Sequence, residues 1–234
     1  MQLVHFQDLG TQPYKQVWDY QETLLKQAVE IKITNRALAQ TQTETPTQHH
    51  LLFVEHTPVY TLGKNGKQEN VLLSQQALQQ KGIDYFHINR GGDITFHGLG
   101  QIVGYPILDL DKFKPDLGWY LRSLEDIVIC TLADYGIAAQ RSAGETGVWI
   151  DADIKGKERK ICAIGIKCSR WISMHGFALN VNTNLSYFSN IIPCGIQNKQ
   201  VTSLQKELNR TVDILEVKQK LKLNFEKIFK AKLI

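Results

Sequence analysis

Cysteine is scarce in this sequence of 234 residues, which has four of them at irregular spacing: Cys130, Cys162, Cys168 and Cys194. So few cysteines do not make the disulfide framework that small secreted domains use. The sequence also has no CxxC pair, so neither a zinc ribbon nor a thioredoxin-type dithiol is supported. We therefore expect free thiols in a reducing compartment.

Long apolar runs and targeting signals are also absent. No stretch approaches the roughly 18 apolar residues that a membrane-spanning helix needs. The start, MQLVHFQDLG, lacks a basic region followed by an apolar one. These features predict a cytoplasmic protein with no membrane association. The sequence contains no GxxxxGK[ST] motif, so it predicts no phosphate-binding loop of that type.

The excess of charge of one sign is small. With 27 basic and 23 acidic residues, the chain has a formal net charge of +4. That surplus is too small to argue for nucleic-acid binding, although it suits an acidic protein partner. The rest of the composition, 43% hydrophobic and 21% charged residues, is that of a globular protein.

The pattern of apolar residues predicts one α+β domain that spans residues 1–234, with a mixed or mostly antiparallel sheet flanked by helices. Apolar positions three and four apart predict helices over 13–38, 117–135 and 212–230. Short β-branched runs predict strands over 51–55, 59–62, 85–89, 102–110, 148–150, 160–168 and 177–181. Because the strands cluster between few helices, a regular βαβ alternation is disfavoured.

Three segments combine glycine with histidine or other special polar residues, and they are the candidates for chemistry. They are RGGDITFHGLGQ at 90–101, KICAIGIKCSRWISMHGFALNVN at 160–182 and IIPCGIQ at 191–197. In the third, Cys194 lies between a proline and a glycine, a turn-like context in which a sulfur can face a pocket. The residues alone leave open whether Cys194 is a nucleophile or a small buried hydrophobe.

A nucleophilic thiol needs a base or a positive charge nearby, and the candidates are Lys160, His97 and His175. Lys160 begins an apolar run typical of a strand buried on both faces, where a lysine can act as a base or stabilise a thiolate. The other interpretation is that Lys160 ends the charged run KGKERK on a solvated hairpin. Cys162, two residues further along this strand, is expected on the same side as Lys160.

The glycine-rich segment that begins at Arg90 permits a tight bend and a close approach to a ligand, so it suits an anion or an acyl chain. A plain hairpin turn is the alternative. His56, His97 and His175 supply three imidazoles, but no HxH or HExxH pair is present. We therefore expect no metal site, and histidines that line a pocket or donate to the backbone.

Five long, ordered motifs stand out in the chain: EHTPVYTLGKNG at 55–66, RGGDITFHGLGQIVGYPILDL at 90–110, TGVWI at 146–150, KICAIGIK at 160–167 and SRWISMHGFALNVNTNLSYFSNIIPCGI at 169–196. Together they resemble the lipoyl(octanoyl) transferases of lipoate biosynthesis. The resemblance implies the fold of lipoate and biotin protein ligases. It also implies transfer of an octanoyl group from acyl carrier protein, through an enzyme thioester, to a lysine of a lipoyl domain.

The resemblance further implies acceptors and site residues, and no cofactor. The acceptors are the lipoyl domains of 2-oxoacid dehydrogenases and the glycine cleavage H protein. The catalytic cysteine of the family matches Cys194, and its activating lysine matches Lys160. Its substrate-binding stretches match Arg90, Gly91, Gly92, Asp93, Ile94, Thr95, Phe96, His97, Ala163, Ile164, Gly165, Gly176, Phe177 and Ala178.

The sequence departs from the family pattern at three positions. Leu99 stands where a proline is usual, which loosens a loop, and Phe96 replaces a common tyrosine, which removes a hydroxyl contact. Cys162 stands where alanine is usual, so a second thiol is expected near the amine of Lys160.

We hypothesise that Lys160 takes the proton of Cys194 or stabilises its thiolate, while backbone N–H groups stabilise the oxyanion. An apolar slot lined by Ile164 and Phe177 holds the acyl chain. Five cations near the candidate site are expected to steer acidic partners: Lys155, Lys157, Arg159, Lys167 and Arg170. For residues 155–159 taken alone, a solvated basic hairpin is the alternative. The alternative functions are an ATP-dependent lipoate or octanoate ligase on the same fold and a non-catalytic module that binds carrier proteins.

Overall fold

The computed structural model describes residues 1–38, 43–192 and 200–234. Its helices are α1 (Tyr14–Ala37), α2 (Gln75–Gln80), α3 (Leu117–Ala133), α4 (Leu204–Leu208) and α5 (Ile214–Phe229). Its strands are β1 (Gln2–Gln12), β2 (His50–His56), β3 (Val59–Leu62), β4 (Asp84–His87), β5 (Ile94–His97), β6 (Gln101–Ile107), β7 (Ala139–Ser142), β8 (Glu145–Ile150), β9 (Arg159–Ser169), β10 (Ile172–Asn180), β11 (Gln200–Val201) and β12 (Ala231–Leu233). The predicted α+β class is confirmed. Among the helices of these residues, none is long and apolar enough to cross a membrane.

Nine of the described strands form one mixed sheet in the order β12, β1, β2, β6, β10, β9, β8 and β7, with β11 paired to β9. β1 runs parallel to β12 and to β2, and β11 runs parallel to β9. The remaining pairs, from β2 across to β7, are antiparallel. A smaller sheet consists of β4, β3 and β5.

Helices cover both faces of the large sheet. Asp116 begins α3 by accepting a hydrogen bond from the Trp119 N–H (2.9 Å), and Asp213 begins α5 by accepting one from the Leu215 N–H (2.8 Å). The apolar sides of α3 and α5 pack with one face of the sheet in the main core, and α1 packs with the opposite face. The central strands β9 and β10 are therefore the rigid support on which a site can be built.

Candidate active site

A cavity of about 370 Å³ opens beside the centre of the large sheet. Its described walls come from the loop between β4 and β5, from β5, β9 and β10, and from the turn that leads into β8. Lys160 lines it together with ten of the predicted substrate-binding residues: Arg90, Gly91, Gly92, Asp93, Ile94, Thr95, Ala163, Ile164, Gly165 and Ala178. The fold thus brings two distant motifs of the sequence to one place.

A second cavity of about 20 Å³ shares several wall residues with the first. Three further predicted residues line it: His97, Gly176 and Phe177. Phe96 lies elsewhere, because its buried ring stacks on Tyr187 with the two ring centroids 4.5 Å apart. The phenylalanine found at position 96 in place of a tyrosine therefore belongs to an apolar cluster, and it is not part of the described walls of either cavity.

The loop that begins at Arg90 is held in shape by the arginine itself. Arg90 Nη1 donates to Gly91 O (2.8 Å), and Arg90 Nη2 donates to Asp93 O (2.8 Å). The Gly91 N–H donates to Ile166 O of β9 (3.0 Å). A Cβ atom at Gly165 would lie 2.7 Å from both Arg90 Nη1 and Gly91 O, so glycine is what permits this close approach. These contacts hold the loop against β9 as a wall of the cavity, so the loop is more than a plain hairpin turn.

Small residues on β9 and β10 leave room on the cavity side of the sheet. Ala163 pairs with Ala178, and Gly165 pairs with Gly176. Because alternate residues of a strand share a face, these two pairs form one shallow furrow. The Arg90 loop fills the furrow at Gly165, whereas both alanines line the larger cavity. The open part of the furrow is therefore at Ala163 and Ala178.

Lys160 reaches the cavity because β9 contains a β-bulge. Val148 of β8 pairs with Cys162, but the next residue, Trp149, pairs with Lys160, so Ile161 is an extra residue in β9. Residues opposite each other in register share a face. Cys162 therefore lies with Val148 on the core side, and Lys160 lies with Trp149 on the other side. The expectation that Cys162 shares the side of Lys160 is wrong for this reason.

Cys162 is a packing residue of the main core. Its side chain is 0% exposed, and burial raises the pKa of its thiol, so the sulfur is protonated at neutral pH. It is absent from the described walls of both cavities. The second thiol therefore lies in the core, outside the cavity that Lys160 lines, although the charge of the Lys160 amine still acts to lower the pKa of the thiol.

Part of the basic surface next to the site is matched by acidic residues of the protein itself. The Arg159 guanidinium donates to both carboxylate oxygens of Glu207 (2.7 Å each) and to Asp151 (2.5 Å). The Lys167 amine lies 2.7 Å from Glu22 Oε1. Two of the five cations predicted to steer acidic partners thus have partners within the protein.

The buried histidines near the site are neutral. His97 Nδ1 donates to Gln101 Oε1 (2.8 Å), whereas neither ring nitrogen of His175 has a hydrogen-bond partner among the described residues. Burial lowers the pKa of His97 and of His175 to about 3, and that of His56 to about 4. Within residues 1–38, 43–192 and 200–234, no cluster of three histidine, cysteine or acidic side chains has the arrangement of a metal site.

A chain of buried hydrogen bonds that the sequence did not reveal connects His97 to the strand of Lys160. Gln101, which binds His97, donates from Nε2 to Asn180 Oδ1 (2.8 Å), and Asn180 Nδ2 donates to Thr202 O (3.0 Å). The Thr202 N–H in turn donates to Lys160 O (3.0 Å). The signal in the sequence was weak: Gln101 and Asn180 are polar residues at the ends of otherwise glycine-rich or apolar motifs.

Asn70, which sequence reasoning also missed, ties the Arg90 loop to the residues that precede position 193. Asn70 Nδ2 donates to both carboxylate oxygens of Asp93 (3.1 and 2.8 Å), and Asn70 O accepts from the Ile192 N–H (2.9 Å). On the far side of the segment 193–199, Val201 pairs with Lys160. Cys194 is in that segment and lies outside the described residues.

Sequence comparison relates this chain to a known family. A family model described as the lipoyl protein ligase A/B catalytic domain matches residues 13–226. An octanoyltransferase of Christiangramia forsetii is 54% identical over 231 residues, which cover 98% of this chain and 97% of that protein. An octanoyltransferase of Cytophaga hutchinsonii is 52% identical over 223 residues, which cover 95% of this chain and 91% of that protein.

Solved structures share the fold at low sequence identity. A bi-partite lipoate protein ligase of Thermoplasma acidophilum has a TM-score of 0.69 at 17% identity, over 100% of this chain and 86% of that one. A lipoate-protein ligase A bound with ATP has a TM-score of 0.67 at 16% identity, over 100% of this chain and 88% of that one. The predicted lipoate ligase fold is confirmed. The chain belongs to the lipoyl protein ligase A/B catalytic domain family and, within it, to the octanoyltransferases.

Proposed function

We propose that this acyltransferase moves an octanoyl group from octanoyl-acyl carrier protein, through a thioester on Cys194, to a lysine of a lipoyl domain, as the first step of endogenous lipoate attachment. The observation that carries the proposal is the Lys160 side chain in the wall of a mainly apolar cavity of about 370 Å³. The similar proteins are named octanoyltransferases, which supports octanoyl as the group that is transferred. The two described ends of the segment that contains Cys194 are tied to Lys160 and to the Arg90 loop, which supports the choice of nucleophile.

In the first half-reaction, Lys160 removes the proton of Cys194, and the thiolate attacks the thioester carbonyl of the donor. A C–S bond to Cys194 forms, and the C–S bond to the carrier thiol breaks. The leaving thiolate takes the proton back from Lys160. One thioester replaces another of similar energy, so this half-reaction needs no additional energy source.

In the second half-reaction, the neutral amine of the acceptor lysine attacks the octanoyl thioester. A C–N amide bond forms, the Cys194 thiolate leaves, and Lys160 accepts the proton that the amine loses. An amide is more stable than a thioester, so the reaction proceeds without ATP and without a cofactor. The acceptors that we propose are the lipoyl domains of 2-oxoacid dehydrogenases and the glycine cleavage H protein. The Thermoplasma acidophilum ligase was solved in a study of a lipoylation system that includes its E2 lipoyl domain, which supports this acceptor class.

The furrow at Ala163 and Ala178 is the place that we propose for the acyl chain. Each methylene group that leaves water there contributes about 0.8 kcal/mol to binding. The adjoining cavity of about 20 Å³ has room for roughly one water molecule, so it does not lengthen the slot. The neutral His97 lines that small cavity and sets the inner limit of the chain.

The test is to follow the mass of an unmodified lipoyl domain in two reactions with the purified protein. We expect octanoyl-acyl carrier protein to add an octanoyl group to the domain without ATP, and octanoate with ATP and Mg²⁺ to leave it unchanged. Modification in the second reaction alone would make the protein an ATP-dependent ligase. Binding of the carrier protein with no modification in either reaction would make it a non-catalytic module.

A further inference from the structure

We propose that Trp149 is a positioning residue for acyl transfer, because its indole face holds the Lys160 amine at the cavity wall. Lys160 Nζ lies over the Trp149 ring, 4.5 Å from the ring centroid. A cation within about 6 Å of an indole face is attracted by the ring quadrupole, and the attraction grows when water is excluded. The inference rests on the proposed function, in which Lys160 moves the protons.

The aromatic contact matters because the described protein gives the amine no polar partner. In residues 1–38, 43–192 and 200–234, no hydrogen bond or ion pair reaches Lys160 Nζ. Arg159, its neighbour, is by contrast fixed by Glu207 and Asp151. A carboxylate beside Lys160 would occupy its N–H groups and hold its proton. An indole face orients the amine and leaves all of its N–H groups free to exchange protons with a thiol or an incoming amine.

Trp149 can serve as this support because β8 is itself fixed. Its side chain is 2% exposed. Two residues earlier, the Gly147 N–H donates to Glu125 Oε1 (3.1 Å). The Glu125 carboxylate is 0% exposed and is paired with Arg122 (2.6 Å) and Arg141 (2.8 Å). These contacts position the strand that carries the indole.

The backbone of β8 and β9 brings the two side chains together. Gly147 has a φ of 118°, and a Cβ atom there would lie 2.6 Å from Cys162 O, so a residue other than glycine would push β8 away from β9. The extra residue Ile161 then places Lys160, instead of Ile161 itself, opposite Trp149. A cross-strand pair in register has its Cβ atoms about 5 Å apart. The contact between indole and amine is therefore a consequence of the bulge.

The test compares Trp149→Leu, which removes the ring, with Trp149→Phe, which keeps an aromatic face, each alone and with Lys160→Ala. We expect Trp149→Leu to lower kcat about tenfold, an effect of about 1.4 kcal/mol, with KM for octanoyl-acyl carrier protein little changed. Trp149→Phe should recover most of this loss. In the Lys160→Ala background, Trp149→Leu should have no further effect, because the amine on which the ring acts is absent.

Melting temperatures of all variants separate loss of folding from loss of positioning. Trp119→Leu is the matched control, because Trp119 packs on Phe229 in the helical layer, and we expect it to lower the melting temperature without lowering kcat. Two results would show that the inference about Trp149 is wrong while the role of Lys160 stands. In one, Trp149→Leu slows transfer by the same factor with and without Lys160. In the other, Trp149→Leu alone transfers at the wild-type rate while Lys160→Ala is slow. If Lys160→Ala keeps the full rate, the proposed function loses its proton carrier and the inference falls with it.

Discussion

The two faces of the β9–β10 pair differ in what fills them. Toward α3 and α5, Cys162 and its cross-strand partner Leu179 are 0% exposed and pack in the main core. On the other face, Ala163 and Ala178 leave an open furrow, and Lys160 lies at its margin. Tightly packed apolar side chains on one face stabilise the fold, while small side chains on the other face leave the open space in which we propose that the acyl chain binds. The bulge at Ile161 puts Lys160 and Cys162, which are two residues apart, on opposite faces of one strand.

The largest effect is expected on the cavity face at Lys160. We expect Lys160→Ala to lower the rate of octanoyl transfer about 10³-fold, since positioned proton transfer contributes roughly 10²–10⁴. The melting temperature should change little, because the described protein gives the Lys160 amine no ion pair that its removal would break. Lys227→Ala, which changes an exposed lysine of α5 that is absent from the described cavity walls, is the control and should transfer normally. A Lys160→Ala enzyme with the wild-type rate would contradict this division of roles.

The core face should show the opposite response. We expect Leu179→Ala to lower the free energy of unfolding by about 3 kcal/mol, because it removes a buried side chain and leaves a cavity. Urea unfolding measures the loss, and the transfer rate per folded molecule should stay within a few-fold of wild type. Leu223→Ala on α5, where the side chain is 56% exposed, should cost far less. A Leu179→Ala protein as stable as the Leu223→Ala protein would show that this face is not the support.

Acid should weaken the region behind the furrow. His175 has its pKa lowered to about 3 by burial, against about 6.5 in the unfolded chain, so the unfolded state binds its proton first and stability falls as the pH drops below 6.5. Asparagine tolerates the φ of 61° at this position. Between pH 7 and pH 4.5, we expect the free energy of unfolding, measured in urea, to fall by about 2 kcal/mol less in His175→Asn than in the wild type.

The residual acid sensitivity of that variant should come from His49, His56 and His97, whose pKa values burial lowers in the same way. His87→Asn, at an exposed position, is the matched control and should leave the pH dependence unchanged. If His175→Asn and His87→Asn lose stability equally on acidification, the buried imidazole does not contribute as described.

The smallest effect is expected from narrowing the furrow. Ala178→Val adds two methyl groups beside Ala163, so the slot should accept a shorter chain. We expect kcat/KM for octanoyl-acyl carrier protein to fall about tenfold relative to that for the hexanoyl form, the cost of about two excluded methylenes. Ala139→Val on the edge strand β7 should leave the ratio unchanged. An unaltered ratio in Ala178→Val would mean that the chain does not occupy the furrow.

Sequence patterns predicted the elements whose signal is local. The helices α1, α3 and α5 begin and end within a few residues of the predicted limits, because their apolar periodicity needs no tertiary context. The strand β1, QLVHFQDLGTQ, was not predicted, because its polar residues are held by pairing with β2 and β12. The first half of β10, from Ile172, was also missed, because positive φ angles at Arg170 and Trp171 form its turn without glycine.

The candidate site was predicted as a set of motifs and not as an arrangement. Glycines and charged residues identified the Arg90 loop and the start of β9, and the structure brings both to one cavity. The bulge at Ile161 has no sequence signature of its own, so the side of the strand assigned to Cys162 was wrong and Trp149 was not recognised. Hydrogen bonds such as Asn70 to Asp93 join distant segments, which a single sequence does not reveal.

The most direct measurement is the intact mass of the enzyme after mixing with octanoyl-acyl carrier protein in the absence of an acceptor. The account predicts one octanoyl adduct on the wild type and on Cys162→Ala, no adduct on Cys194→Ala, and slow formation on Lys160→Ala. An adduct that persists on Cys194→Ala, or one that disappears on Cys162→Ala, would contradict the thioester on Cys194 and the separation of the two faces of β9.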